Sequence, residues 1–311
     1  MAANDPLLPA FDDLPVLEPL GLRHAWGTWG DDDDLGTVNL LTPQRVLAAA
    51  AEIRTGETIS LDLPLNLPDP PLFDREAYRH EIYTLSRNEM DDRLDSFYPQ
   101  LSTQWDALSH IRCREYGFWN GRPDNPGAEG NDLGIEKYAE HGLVGRGVLV
   151  DVGAWVGDRA MTSTEIPLSV VQEALADQGS ELRAGDVLCL RTGWVGTYKA
   201  LDRAGRQAVA DVRGYCGLRG DEETARFLWD HHLAAVCADN PAVEVVPGEA
   251  WVGSLHRRLM PLLGFAIGEM FDFEELAARC REDGRWSFFF VAVPLKIPGG
   301  VGSPGNAVAI R

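Results

Sequence analysis

A run of polar side chains suited to binding chemistry lies in YPQLSTQWDALSHI, residues 98–111. Residues two apart in a β-strand point to the same face of the sheet. The polar residues that then share one face are Gln100, Ser102, Gln104, Asp106 and His110. Amides, a carboxylate and an imidazole suit a metal ion or a polar ligand, whereas a solvated strand face more often carries Lys, Glu and Thr. The pattern predicts a binding face if the chain stays extended over all these residues, and a solvated face is the alternative.

A second group of residues with chemical potential follows near the C-terminal end. Ser254 can cap a short helix that carries His256 in its first turn, and Pro261 and Gly264 end that helix. A short strand then leads to Glu269. Either the histidine or the glutamate could be purely structural. The spacing in the sequence does not show whether His256 and Glu269 lie near the polar side chains of residues 98–111.

Strand and helix patterns alternate along the whole chain. Residues 58–65 alternate like a strand, and buried-strand patterns occupy residues 147–155, 186–194 and 286–295. Helical periods occupy residues 42–54, 169–178, 221–233 and 272–282. Neither a repeat nor a break in composition interrupts this alternation. The sequence therefore predicts one α/β domain over residues 1–311, with an N-terminal arm at about residues 1–23.

The charge balance excludes several classes of partner. The 311 residues include 28 Lys and Arg against 48 Asp and Glu, which gives a formal net charge of −20. Binding to nucleic acids or anionic membranes needs clustered basic residues, so we expect neither. The first residues lack the basic start and apolar middle of a signal peptide, and the five cysteines are odd in number and widely spaced. We therefore expect a cytoplasmic protein whose cysteines are reduced and fill the core.

Two further motifs are less informative than they look. GVGSPG at residues 300–305 matches the glycine pattern of dinucleotide sites, but too few residues follow it for the required helix, so a C-terminal loop is predicted. Consecutive carboxylates from Asp31 to Asp34 point in different directions, which favours a solvated loop over a cation site. The polar, proline-containing residues 66–97 are too long for a passive connection.

Several segments resemble the metal-dependent cyclase family that includes bacterial kynurenine formamidase and isatin hydrolase. The family pattern HxGTHxDxxxH aligns with QLSTQWDALSH at residues 100–110, and its later His, Leu-rich segment and Glu align with His256 through Glu269. Further resemblance lies in WGDDDDLGTVNLLTP, GLVGRGVLVDV, GDVLCLRTGW and VPLKIPGGVGSPGNAVAI. The resemblance implies a mixed α/β fold with a β-barrel-like core and surrounding helices. It also implies a homo-oligomer, a dimer or a tetramer, that hydrolyses an amide at a divalent metal.

The resemblance places the metal ligands at Gln100, Gln104, Asp106, His256 and Glu269. The first two depart from the family pattern, which has histidine there. A glutamine oxygen is a neutral, hard and weak ligand, so the change should lower the affinity for zinc and favour Mn²⁺ or Mg²⁺. The expected cofactor is Mn²⁺ or Zn²⁺, with Mg²⁺ as a further candidate, and a metal-free site is the alternative.

The remaining functional expectations also follow from the resemblance. His110 matches the family's histidine that does not bind the metal, and it would pass a proton to the leaving nitrogen. Trp105 and Trp29 are candidates for stacking on a flat substrate, although both could be core residues. The leading hypothesis is a hydrolase that cleaves an amide, lactam or lactone bond of a small aromatic or cyclic compound. The alternatives are a metal-independent lyase or cyclase that uses His110 and Asp106, and a retired homologue that only binds a small ligand.

Overall fold

A mixed β-sheet with helices around it organises the chain, as seen in a computed structural model that describes residues 8–123 and 133–311. The strands are β1 (Val16–Leu17), β2 (Leu22–Arg23), β3 (Thr58–Ser60), β4 (Arg79–Ser86), β5 (Glu89–Asp95), β6 (Gln104–Asp106), β7 (Leu143–Asp151), β8 (Glu165–Ile166), β9 (Val187–Arg191), β10 (Gly217–Leu218), β11 (Ala235–Ala238), β12 (Ala266–Glu269), β13 (Ser287–Ala292), β14 (Gly302–Pro304) and β15 (Ala307–Ile310). Nine of them form the main sheet, in the order β14-β6-β12-β11-β9-β7-β13-β15-β3.

The helices connect and cover these strands. They are α1 (Pro43–Ala49), α2 (Glu136–His141), α3 (Gly153–Val156), α4 (Leu168–Asp177), α5 (Trp194–Ala200), α6 (Arg203–Val212), α7 (Glu222–Asp230), α8 (Leu255–Arg258) and α9 (Glu274–Asp283). The central strands β12, β11, β9 and β7 are parallel to one another. Parallel neighbours need crossover connections, and these contain α4 between β7 and β9 and α7 before β11.

The main sheet curls so that its two edges approach each other. Beyond edge strand β3, the backbone N–H of Leu63 donates to the Thr103 hydroxyl at 2.8 Å, just before strand β6 near the opposite edge. The N–H of Asp272, which follows β12, donates to the Leu61 carbonyl at 2.8 Å. The predicted fold class, a mixed α/β structure with a barrel-like core and surrounding helices, is confirmed.

Local sequence signals placed several elements correctly. Helix α1 begins after Thr42, whose hydroxyl accepts from the Arg45 N–H, and Pro43 occupies its first position. Ser254 caps α8 in the same way by accepting from the Arg257 N–H. The five cysteines are buried and free, as expected of core residues.

The prediction of an extended polar face over residues 98–111 is wrong. Only Gln104–Asp106 forms a strand. A turn precedes it, where the Leu101 N–H donates to the Tyr98 carbonyl at 3.0 Å, and another follows, where the His110 N–H donates to the Ala107 carbonyl at 2.8 Å. The chain folds back on both sides of β6, so strand alternation holds only within Gln104–Asp106 and does not place Gln100, Ser102 or His110.

Two other expectations need correction. The GVGSPG segment contains strand β14, which pairs with β6 and places Gly302 opposite Asp106. It is therefore part of the sheet rather than a loop. The strand predicted for residues 58–65 is shorter, since β3 covers only its first half. Residues 66–97 contain the hairpin of β4 and β5, which pairs with no other strand in the described ranges.

The N-terminal arm lies against the chain's own surface. Residues 1–7 of the predicted arm fall outside the described residues. The Phe11 N–H donates to the Asp230 carboxylate at 2.7 Å, and the Trp229 indole donates to the Pro9 carbonyl at 2.8 Å, which attaches the arm to α7. In the described ranges, every helix is too short or too polar to span a membrane. The assignment of residues 1–311 to one domain stays a prediction.

Candidate metal centre

Two paired strands bring the carboxylates of the centre together. Strands β6 and β12 are antiparallel neighbours, with Glu269 directly opposite Gln104. Asp106 lies two residues beyond Gln104 and therefore on the same face of the sheet. The Gln104 amide donates to the Glu269 carboxylate at 2.6 Å. Strand register thus fixes an amide and two carboxylates at one point of the buried sheet.

Helix α8 adds an imidazole to this pair of carboxylates. His256 Nε2 lies 3.1 Å from Glu269 Oε1 and 4.0 Å from Asp106 Oδ2. The three groups offer one ligand atom each, and these atoms all lie within 4.8 Å of one another. The side chain of Asp106 is 0% exposed and that of His256 is 12% exposed. Such a compact buried group of two carboxylates and an imidazole is suited to a divalent cation.

Glu244 orients the imidazole from its other side. Its carboxylate accepts from His256 Nδ1 at 2.8 Å and from the backbone N–H of Leu255 at 2.5 Å. It also accepts from the Ser254 hydroxyl at 3.0 Å. A hydrogen bond from the far ring nitrogen to a carboxylate is the usual support of a metal-binding histidine. Sequence reasoning missed Glu244, although a lone carboxylate inside the apolar run AVEVV was a signal that could have found it.

Strained backbone lies next to two carboxylates of the centre, Glu244 and Glu269. Val243 and Met270 are buried and have φ values of +54°, in the left-handed region that branched and bulky residues avoid. They adjoin Glu244 and Glu269, respectively. Gly217 allows the close approach, because a Cβ there would lie 2.2 Å from the Glu244 carbonyl carbon. Such strain persists only where the surrounding structure enforces it, and it concentrates at functional sites.

Burial and mutual repulsion set the protonation of the centre. Burial, and then the charge of Asp106, raise the pKa of Glu269 to about 7, against the opposing effects of His256 and Arg75. Burial disfavours the charged form of His256, but hydrogen bonds with Glu244 and Glu269 outweigh it and hold its pKa well above the ordinary value. A proton therefore sits among these groups where a cation could replace it.

Gln100 links the centre to His110. Its amide nitrogen donates to Asp106 Oδ1 at 2.5 Å and lies 3.2 Å from His110 Nδ1. The Gln100 side chain crosses Gly302 so closely that a Cβ there would lie 2.6 Å from its Cγ. His110 is half-buried, so part of its surface faces solvent. The role of Gln100 as an oxygen ligand stays a prediction, because its nitrogen faces Asp106.

The donor set fits a divalent metal. Asp106 Oδ2 and Gln104 Oε1 are both buried and have no hydrogen-bond partner. Buried polar atoms without partners are costly, and a cation would satisfy both. With one nitrogen from His256 and oxygens from Asp106, Glu269 and Gln104, the mixed set suits Mn²⁺ or Zn²⁺ and is compatible with Mg²⁺. The residues placed here by the family resemblance therefore meet in space.

The two tryptophans predicted to stack on a substrate lie elsewhere. Trp105 is 0% exposed on the opposite face of β6, with its ring centroid 5.3 Å from that of Phe271. The prediction that Trp105 stacks on a substrate is wrong, because strand alternation turns it into the core. Trp29 is partly buried, with ring centroids 6.1 Å from Trp119 and 6.2 Å from Trp229. Its substrate role stays a prediction.

The fold and this centre define a mixed α/β protein with a buried carboxylate and histidine cluster. The model of the Cyclase family, described as "Putative cyclase", matches residues 38–245. A crystal structure of a novel cyclase is 38% identical, with a TM-score of 0.83, over 93% of this chain and 99% of its own. The chain belongs to the cyclase family.

More distant structures share the fold. Isatin hydrolase A from Labrenzia aggregata, bound to benzyl benzoate, is 16% identical with a TM-score of 0.61, over 86% of this chain and 98% of its own. Isatin hydrolase A from Ralstonia solanacearum is 19% identical with a TM-score of 0.59, over 86% and 97%. A search of curated proteins finds no match.

Proposed function

We propose that this protein is a metal-dependent hydrolase that cleaves an amide, lactam or lactone bond of a small aromatic or cyclic compound. The observation that carries the proposal is the buried cluster of Asp106, His256 and Glu269, with ligand atoms within 4.8 Å of one another. Membership of the cyclase family and the shared fold with isatin hydrolases support it. Mn²⁺ or Zn²⁺ is the proposed cofactor, and Mg²⁺ is a further candidate.

Different residues of the chain would bind the ion, orient the imidazole and transfer a proton. When bound, the ion would polarise the scissile carbonyl and lower the pKa of a water molecule. Asp106, Glu269 and His256 would hold the ion, and Glu244 fixes the imidazole through Nδ1. His110, held 3.2 Å from the Gln100 amide, would move a proton to the leaving nitrogen or oxygen.

A second candidate is a lyase or cyclase that uses His110 and Asp106 without a metal. The hydrogen bonds of Gln100 favour it, because one amide connects Asp106 to His110 without any ion. A retired homologue that only binds a small molecule is the third possibility. A homo-oligomer and a cytoplasmic location remain part of the proposal.

Metal analysis combined with turnover tests the proposal. The chelated protein is titrated with Mn²⁺ and Zn²⁺, and hydrolysis of isatin, formanilide and dihydrocoumarin is followed before and after chelation. We expect a single ion per chain and turnover that chelation removes. The Asp106→Ala variant should lose both, because it removes a buried ligand, while Asp158→Ala, at an exposed carboxylate, should behave as wild type.

Each contrary result points to one alternative. Turnover that survives chelation would support the metal-independent lyase or cyclase. Metal binding without turnover on any substrate would support the retired homologue. Wild-type turnover in Asp106→Ala with saturating metal would remove the cluster from the reaction.

A further inference from the structure

A guanidinium group that sequence reasoning did not single out lies beside the candidate metal centre. Arg75 belongs to the loop between β3 and β4, and its Nη1 donates to the backbone carbonyl of Gln100. The residue is half-buried. The side-chain amide of the same Gln100 donates to Asp106, which places Arg75 one residue away from the centre. Burial lowers the pKa of Arg75, and the negative charges of Glu269 and Asp106 oppose that effect. Arg75 is therefore part of the surroundings of the centre.

Among residues 8–123 and 133–311, no carboxylate lies within 4.0 Å of the Arg75 guanidinium, so its charge has no ion-pair partner there. A guanidinium carries five N–H donors, and a half-buried charge without a counter-ion is costly. A divalent ion would take up the charges of Asp106 and Glu269, and the Glu244 carboxylate is occupied by Ser254, Leu255 and His256. None of these three carboxylates forms an ion pair with Arg75.

The loop holds this charge in place with strained backbone. Phe73 and Asp74, which directly precede Arg75, both have φ values of +59°. The Phe73 ring packs 5.1 Å from the Arg75 guanidinium carbon and 5.8 Å from the Tyr215 ring centroid. Asp74 forms an ion pair with Arg213. Two consecutive non-glycine residues in the left-handed region need such enforcement, and this pattern is typical of a positioned functional group.

A second unused donor lies in the same neighbourhood. The Tyr215 hydroxyl is buried and has no hydrogen-bond partner in the described chain. The Tyr215 ring contacts the Phe73 ring, against which the Arg75 guanidinium also packs. A guanidinium and a phenol hydroxyl, both with free donors, are suited to an oxyanion such as a carboxylate.

From this geometry we propose that Arg75 is a substrate-binding residue that pairs with a carboxylate of the substrate. The inference rests on the proposed function, and it narrows the substrate class to aromatic or cyclic amides, lactams or lactones that carry a carboxylate. The ion would take the scissile carbonyl, and Arg75 would take the carboxylate. A neutral analogue would leave the half-buried charge of Arg75 without a partner. Arg75 would therefore favour substrates that carry a carboxylate.

Calorimetric binding of two probes to the Mn²⁺-loaded protein tests the inference. 2-Carbamoylbenzoate carries an amide and a carboxylate, whereas benzamide carries only the amide. Wild type should bind the carboxylate-bearing probe roughly 10- to 100-fold more tightly, as expected for a charge-assisted bidentate pair. Arg75→Gln should remove this preference and leave benzamide binding within about twofold. Arg79→Gln, which removes an exposed arginine of the same segment, should keep the preference.

The outcomes separate this inference from the proposed function. Equal binding of both probes by wild type, or an unchanged preference in Arg75→Gln, would overturn the role of Arg75 while Mn²⁺ binding still stood. Failure to bind Mn²⁺ in a separate dye-competition titration would instead count against the proposed function. If Arg75→Gln does not fold, Arg75→Lys carries the test. Lysine keeps the positive charge but lacks the two parallel N–H donors of a guanidinium. Arg75→Lys should therefore retain only part of the preference for 2-carbamoylbenzoate, and full retention would contradict the bidentate pair.

Discussion

The ligands of the metal centre and the loop that carries Arg75 are positioned by different means. Asp106 and Glu269 stand on paired strands of the main sheet, where both neighbours and register are fixed by backbone hydrogen bonds. Arg75 stands on an irregular loop, held by one ring contact, one exposed ion pair and one bond to a carbonyl. The sheet therefore fixes Asp106 and Glu269 through its backbone pairing, whereas the position of Arg75 depends on a few side-chain contacts and on the strained backbone of its loop. Changes in the two regions should therefore differ in size and in kind.

The largest expected effect is on proton transfer next to the rigid centre. His110→Asn keeps a hydrogen-bonding side chain but cannot take up a proton near neutral pH. We expect kcat to fall by roughly two to four decades, with metal content and melting temperature near those of wild type. Turnover, bound metal and thermal unfolding are measured on the same preparation. Unchanged kcat would remove His110 from the mechanism, and a parallel loss of metal would make it a ligand.

The next effect concerns the support of the imidazole. Glu244→Gln removes the charge that holds His256 Nδ1 and part of the acceptor set for the start of α8. We expect the affinity for Mn²⁺ to fall by about 10- to 100-fold, as for other outer partners of metal-binding histidines. The control is Glu249→Gln, at an exposed position in the same connection. Equal metal affinity in the two variants would show that Glu244 only accepts hydrogen bonds from the start of helix α8 and does not support metal binding.

A smaller effect is expected at Asp62, which is hydrogen-bonded to the curled main sheet. Asp62 accepts from the Ala307 N–H at 2.8 Å, and its other oxygen is buried without a partner. Burial raises its pKa to about 6 from 3.8, against the opposing hydrogen bonds of Ala307 and Asn306. The folded state therefore holds this proton more tightly than the unfolded state. The resulting stability is fully present below pH 3.8 and is lost as the pH rises through about 6.

Asp62→Asn should remove that loss. The free energy of unfolding of wild type relative to the variant should fall by about 2 to 3 kcal/mol at most between about pH 4 and pH 7. Urea unfolding at several pH values measures the difference, and buried carboxylates common to both proteins cancel. A pH-independent difference would mean that the pKa of Asp62 is the same in the folded and unfolded states, which would contradict the raised value.

The smallest effect is expected in the loop. Asp74→Asn breaks the exposed ion pair with Arg213, which should cost less than about 1 kcal/mol of stability. Binding of 2-carbamoylbenzoate should weaken by only about two- to threefold, because Phe73 still packs against Arg75. Thermal unfolding and calorimetry measure both effects. A tenfold loss of affinity would show that the loop is as rigidly built as the sheet.

Local chemistry in the sequence predicted much of the framework. Thr42 and Ser254 signalled their helices because a cap depends only on residues three apart. The identities of Asp106, His256 and Glu269 were also available from the sequence, through the family resemblance. The extended face proposed for residues 98–111 failed because the chain turns on both sides of β6, where the N–H groups of Leu101 and His110 donate to carbonyls three residues earlier.

What the sequence determined by itself was the set of residue types and the short elements that carry them. Their meeting was decided by the tertiary structure, since the pairing of β6 with β12 joins residues more than 160 positions apart, as in the bond between Gln104 and Glu269. Likewise, the contact of Glu244 with His256 and the bond from Arg75 to the Gln100 carbonyl exist only in the folded chain. Tertiary structure also removed one candidate. Trp105 lies on the opposite face of β6 from Asp106 and packs into the core against Phe271. Side-chain type is a property of one position, but proximity depends on strand register and loop path, which the whole chain fixes together.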